Sequence, residues 1–242
     1  MNTINQESIS TRDFYEKAYS QQGLAAQRRY PNEEFLRFLG RNFSHLTKEE
    51  KQKVSLLEVG SGSGANLWVP AREGFQTYGL DISKEGNELC KEVLALWGTK
   101  PKELLVSSME SIPLEDNSLD VVIDIFSSNC LNTKEFKQYL NQVSRVLKKG
   151  GIYFSYTPSK NSEAFINFEP AKKMDENTLN GIYRETSPFY GNKYNFRFIT
   201  PDEYRIEMEE RGFTVPYLET IGRTYRSGQE YFEFVTIEAR KL

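Results

Sequence analysis

Between Val54 and Ser83 the chain reads VSLLEVGSGSGANLWVPAREGFQTYGLDIS. An apolar run ends at Glu58, glycines stand at 60, 62 and 64, and a second apolar run ends at Asp81, 21 residues after Gly60. Few folds accept that order. An apolar run without polar alternation suits a parallel strand covered on both faces. The glycines allow a sharp turn and let the backbone approach a ligand closely. A helix after the turn presents free N–H groups at the strand end. An aspartate at the tip of the next strand accepts hydrogen bonds from a ribose diol. A glycine-rich structural turn with a solvated aspartate is the plain alternative, and it leaves the joint occurrence of strand, helix and distant acid unexplained. The stretch points to an adenosine-bearing small molecule.

Two nucleotide classes fit the turn. Gly60, Gly62 and Ala65 match the dinucleotide fingerprint, in which alanine can take the third place, and so admit an NAD-dependent oxidoreductase. Against it stands Glu58 at the strand tip. An anion there repels a pyrophosphate and favours the sulfonium and ammonium of S-adenosylmethionine. A non-catalytic module that only binds the cofactor is a third reading.

Beyond residue 54, strand and helix patterns alternate. Strands are expected at Val54 to Val59, Thr77 to Leu80, Leu104 to Val106, Asp120 to Phe126 and Ile152 to Tyr156. A helix is expected from about Gly64 to Gly74. Others follow on the apolar faces of Leu89 to Trp97 and Phe136 to Leu147, the last closed by a Lys148–Gly151 turn. Asn32, Thr47 and Thr200 read as helix caps, the last two as capping boxes with Glu50 and Glu203. Phe213 to Leu218 and Tyr231 to Ile237 are joined by too few residues for a crossover helix, so they pair antiparallel. The expected fold is α/β, a single-domain Rossmann-like sheet of seven strands over residues 1–242. It is mostly parallel with an antiparallel last strand, and helices cover both faces. A helical arm (1–50) precedes the sheet. About forty residues without period, roughly 158–198, read as a binding insert or lid.

Composition narrows the chemistry. A chain of 242 residues buries one large core. A net charge of -3 without a long basic run argues against general nucleic-acid binding. The single histidine, His45, argues against histidine-rich metal sites and triads, and no metal is expected. Cys90 and Cys130 make no zinc or haem pattern and read as buried thiols. The polar N-terminus has no signal architecture and no stretch suits a bilayer, so a cytoplasmic protein away from membranes is expected, as a monomer or a homodimer.

Over about residues 50–158, and in outline to 242, the chain resembles the class I S-adenosylmethionine-dependent methyltransferases of the small-molecule type. Glu58 to Gly64 is similar to the family's first motif, Ile112 to Asp120 to its stretch before the fourth strand, and Arg145 to Gly151 to its turn before the fifth. The resemblance implies S-adenosyl-L-methionine as cofactor, held by Glu58, Gly60, Ser61, Gly62 and Gly64. Asp81 would take the ribose and Ile82 would pack on the adenine. Where the family often has an adenine-binding aspartate this chain has Ser108, and Ser108, the backbone of Met109 or Glu110 are the candidate adenine neighbours. Asp124, Ile125 and Phe126, at the fourth strand's tip, fall where the family holds the methionine end, and Asp124 there either helps bind the ammonium or serves as a structural cap.

The aromatic arm and the insert are the natural acceptor walls. Candidate substrate residues are Tyr19, Arg28 and Tyr30 from the arm, and Tyr183, Arg184, Tyr194 and Arg197 from the insert. Arg184 and Arg197 either fork onto a carboxylate or phosphate, implying an acidic, sugar- or nucleotide-linked acceptor, or brace the insert. His45, Tyr15 and Tyr190 are the candidate catalytic groups. The reaction implied is in-line methyl transfer to a small molecule.

Overall fold

The computed structural model describes residues 10–242. A sheet of seven strands carries the fold. In chain order these are β1 (Ser55–Val59), β2 (Gln76–Asp81), β3 (Glu103–Val106), β4 (Leu119–Ile125) and β5 (Leu147–Pro158), then β8 (Phe213–Tyr225) and β9 (Glu230–Lys241). The two-residue strands β6 (Thr178–Leu179) and β7 (Phe196–Arg197) form a separate pair. The sheet order is β3-β2-β1-β4-β5-β9-β8. β1 to β5 are parallel, and β9 runs antiparallel to both β5 and β8. The antiparallel last strand is thus inserted between the fifth and sixth rather than lying at the edge. Its residues are buried almost throughout, whereas β8 is largely open. β8 is therefore the edge strand, and it tolerates Pro216 where its pairing slips between Thr214 and Tyr217.

Side chains alternate across the strands and feed two cores. Leu56, Val121, Ile123 and Phe154 face one side, with Phe35, Phe38, Leu39 and Phe43 of helix α2 (Glu33–Phe43) and Cys90 and Leu94 of α5 (Lys84–Leu96). Leu57, Val59, Val122 and Tyr153 face the other, against Phe136, Tyr139, Leu140 and Val143 of α6 (Thr133–Val146) and Tyr204 and Met208 of α8 (Pro201–Glu209). This two-sided burial is why the strands read as unbroken apolar runs. The expected caps are present. The Asn32 side chain accepts from Glu34 and Phe35 N–H, and Thr47 and Thr200 form capping boxes that open α3 (Lys48–Lys51) and α8. Helix α1 (Thr11–Gln22) begins at a Ser10 cap. Both cysteines are free and buried.

Three local expectations shift. After the glycines the helix α4 covers only Trp68–Glu73, with residues 61–67 mostly in turns. Pro70 has no N–H to donate and is tolerated only in a first turn, which prevents an earlier start. Lys148–Gly151 is not a separate turn but an irregular start of β5, where the pairing jumps from Leu119–Leu147 to Val121–Ile152. The closing hairpin is longer than expected and turns tightly at residues 226–229. Residues 158–198 hold the short helix α7 (Glu163–Ile166), and they send Ala164, Leu179, Ile182, Phe196 and Phe198 into the first core.

Candidate functional site

A cavity of about 660 Å³ opens at the C-terminal ends of β1, β2 and β4, roofed by α1. In open parallel sheets that edge is where ligands are held. The glycine turn forms its floor. Gly60 has φ +63°, and a Cβ there would stand 2.5 Å from the Ser127 Cβ. Only glycine lets the β1 turn lie this close to the tip of β4.

Glu58 is 1% exposed and lines the cavity. Its Oε1 accepts a hydrogen bond from Asn66 Nδ2 at 2.6 Å, and its Oε2 is buried with no protein partner. Burial pushes its pKa up to about 8, against the opposing effects of Asn66 and Arg28. Asn66 is buried too, and its Oδ1 accepts from Arg28 Nη2 at 3.1 Å and from Asn32 N–H at 2.9 Å. Asp81 is held by two backbone N–H groups, Gly62 to Oδ2 and Ser83 to Oδ1, each at 2.8 Å. Burial raises its pKa, and those two N–H groups hold the rise back.

Ile82, Met109, Glu110, Ile125 and Phe126 line the same cavity, as do Ser61 and Ser108. Ser108 Oγ donates to Glu110 Oε2 at 3.0 Å. Phe126 holds φ +61°, unusual for a residue with a side chain, and stacks on Phe189 at 4.4 Å between ring centroids. Such strain concentrates at functional sites.

From the arm, Tyr15, Tyr19 and Arg28 reach the cavity. The Tyr15 and Tyr194 hydroxyls lie 3.0 Å apart, which places Tyr194 directly behind Tyr15. Burial raises the pKa of all three tyrosines and pushes the Cys130 thiol up to about 12, so none is poised to take a proton.

Several expected residues lie elsewhere. Asp124 is fully buried outside the cavity. Its carboxylate accepts from Ser127 N–H, Ser128 N–H and the hydroxyls of Ser128, Tyr153 and Ser155, so it caps the strand tip. Gly64 backs onto Cys90, where a Cβ would stand 2.6 Å from the sulfur. His45 and Tyr190 are exposed and outside the cavity, and Tyr30 packs edge-on against Trp97. Tyr183 is also outside. Arg184 pairs with the buried Glu230, and Arg197 is buried with its guanidinium 3.3 Å above the Phe136 ring. Both arginines turn away from the cavity, Arg184 toward Glu230 on β9 and Arg197 onto Phe136 of α6. Asn66, Ser127, Cys130, Glu135 and Asn195 line the cavity without having been singled out. A buried amide just after the glycine turn was the one available signal, and it reads in sequence as an ordinary loop residue.

Among the described residues no cluster of potential metal ligands occurs, and no helix is long and apolar enough to cross a membrane. A glycine-floored cavity with an acid on each of the first two strands, in a sheet of this order, is the arrangement the resemblance to S-adenosylmethionine-dependent methyltransferases implies. Residues 57–155 match the family described as a methyltransferase domain. The phthiotriol/phenolphthiotriol dimycocerosates methyltransferase 1 of Mycobacterium ulcerans is 28% identical over 156 residues, 62% of this chain and 55% of that protein. The chain thus matches about half the length of such curated relatives. An uncharacterized protein of Methanocaldococcus jannaschii is 28% identical over 227 residues, 88% of this chain and 80% of its own. The fold is shared with a Methanosarcina mazei S-adenosylmethionine-dependent methyltransferase (TM-score 0.61, 21% identity, covering 78% of this chain and 92% of that one). It is shared also with the Burkholderia thailandensis 1,6-didemethyltoxoflavin-N1-methyltransferase, solved with bound 1,6-didemethyltoxoflavin and S-adenosylhomocysteine (TM-score 0.65, 12% identity, covering 95% of this chain and 85% of that one).

Proposed function

We propose that this protein transfers a methyl group from S-adenosylmethionine to a small, largely apolar acceptor. The carrying observation is the unpartnered, buried Oε2 of Glu58 in a cavity that also holds the glycine turn and Asp81. A buried carboxylate oxygen without a donor is costly unless a cation comes to it. The donor brings such a cation, whereas a pyrophosphate brings none. Asp81, fixed by two backbone N–H groups, keeps lone pairs for a ribose diol. Bound there, S-adenosylmethionine supplies a methyl group on a sulfonium, from which a neutral thioether leaves in line.

The chain's own contribution is alignment and the exclusion of water. Tyr15, Tyr19 and Phe126 wall the acceptor side. Their hydroxyls stay protonated, so Tyr15 and Tyr19 orient the acceptor by hydrogen bonds rather than deprotonate it. Arg184 and Arg197 lie off the cavity, so they lend no support to an acidic, sugar- or nucleotide-linked acceptor. The phthiotriol/phenolphthiotriol dimycocerosates named for the similar Mycobacterium ulcerans methyltransferase support an apolar one.

Thermal unfolding with added ligands tests the donor. S-adenosylhomocysteine raises Tm and NAD leaves it unchanged, since only a ligand of the folded state stabilises it. The opposite pattern would establish the oxidoreductase instead. Donor consumption in metabolite extracts, followed by mass, then identifies the acceptor, and a protein that binds the donor but never turns it over is a binding module.

A further inference from the structure

We infer that β8 is the interface of a homodimer, in which two copies pair their β8 strands antiparallel about Ile221 and join their sheets into one. The inference depends on neither the donor nor the acceptor. β8 ends the sheet order, pairs with β9 on one side, and among the described residues has no strand on the other. In an antiparallel pair every second residue points its N–H and C=O away from the partner, so a long edge strand presents a row of unpaired groups. Edges that stay single carry lysine, proline or bulges that block such pairing. β8 has its proline and its register slip only near its start, between Thr214 and Tyr217. From Tyr217 to Tyr225 its pairing with β9 is regular, and the stretch holds neither lysine nor proline.

The side chains of that stretch fit a second copy of themselves. Ile221 is its middle residue, so a two-fold axis there sets Tyr217 against Tyr225, Glu219 against Arg223 and Ile221 against itself. All five alternate onto one face, the face that α2 covers. Ile221 and Tyr225 pack on the first core, the Arg41 guanidinium lies 4.0 Å above the Tyr217 ring, and Arg223 reaches Glu33 at 3.5 Å.

Glu219 and Arg223 are the only charged residues of the stretch, and both are exposed. Opposite charges directly across two strands are favourable and like charges are not. The two-fold axis makes the favourable pair twice. Within its own chain Glu219 accepts from the Tyr217 hydroxyl at 2.6 Å and, among the described residues, has no cation partner. Arg223 has donors to spare, because a guanidinium carries five N–H groups. No residue of β8 or β9 lines the cavity, so the pairing leaves the walls of both sites untouched.

Sedimentation velocity of the full chain over a range of concentrations tests this. Wild type sediments at twice the chain mass. Arg223→Glu sets a carboxylate against Glu219 at two places and raises the dimer Kd by about tenfold or more. Glu219→Arg has the same effect with two facing guanidinium pairs. The double variant Glu219→Arg/Arg223→Glu restores opposite charges and returns the dimer, a rescue that only this register gives. A wild type that stays monomeric overturns the inference, even if the edge captures some other chain. Single variants that dimerise as tightly as wild type, or a double variant as weak as the singles, also overturn it. Far-UV circular dichroism of each variant shows that the fold is retained.

Discussion

The Tyr19 hydroxyl lies 2.7 Å from the point where a Cβ on Gly62 would stand. The arm therefore rests on the glycine turn itself. At φ +47° Gly62 also occupies a region that side chains disfavour. Turn and roof are thus built to one clearance, and the cavity between them exists only while position 62 has no side chain.

Gly62→Ala should lower stability by about 1–2 kcal/mol from backbone conformation alone, and further by displacing Tyr19. Tyr19→Phe removes the hydroxyl and so should relieve the second part but not the first. Melting curves of the two single variants and the double variant separate the terms. Strict additivity would show that the ring and the turn do not touch in solution.

Protonation of Glu58 gives a pH dependence with a definite sign. Its carboxyl titrates at about 8 in the folded protein, against about 4.3 in an unfolded chain. The folded state holds the proton more tightly, so this contribution is complete below about pH 4 and is lost as pH rises through about 8. Tm of the ligand-free protein should fall over that window, and Glu58→Gln should flatten the slope. Asp81, also raised by burial, leaves a residue of the same sign. A cation beside Glu58 favours its ionised form, so donor binding near pH 6 should release a proton. Calorimetry in two buffers of different ionisation enthalpy reads that release, and proton uptake would contradict it.

Asp124 should behave as a structural group. Asp124→Asn turns an N–H₂ toward donors that now meet a carboxylate. A loss of about 2–3 kcal/mol is expected. The affinity for S-adenosylhomocysteine should change by less than about twofold in the folded fraction. A selective loss of affinity at unchanged Tm would return Asp124 to the cofactor site.

Glu16 fastens α1 to the start of α5. It accepts from Ser83 Oγ at 2.9 Å and from Lys84 N–H at 3.2 Å. The second donor is one of the free N–H groups at a helix start, where a carboxylate is favoured. Glu16→Ala should raise amide exchange across Thr11–Gln22 by about tenfold and leave β4 and β5 unaffected. Unchanged exchange in the arm would mean that aromatic packing alone holds it.

Legibility followed distance along the chain. Glu58, Gly60, Gly62 and Asp81 are recognisable because one strand, one turn and the next strand bring them together locally. The core strands were legible because burial on both faces removes polar alternation. The acceptor side was not, since it depends on where side chains point after remote segments dock. Arg184 and Arg197 looked like anion ligands, yet Glu230 neutralises one and Phe136 covers the other. Tyr15 and Tyr194, 179 residues apart, meet at their hydroxyls through packing that no local pattern encodes. The place of β9 between β5 and β8 was likewise unread. A hairpin pattern specifies which strands pair, but not which partner covers the other edge.

The sequence by itself determined a methyltransferase-like α/β sheet and the nucleotide turn, because these depend on period, glycine and charge at short range. Tertiary structure alone decided what surrounds them. It set Asn66 between Arg28 and Glu58, withdrew Asp124 into a cap and turned the insert inward. The reason is physical: hydrogen-bond partners and burial are properties of segments brought together, and they decide whether a given carboxylate or guanidinium faces a ligand or the core.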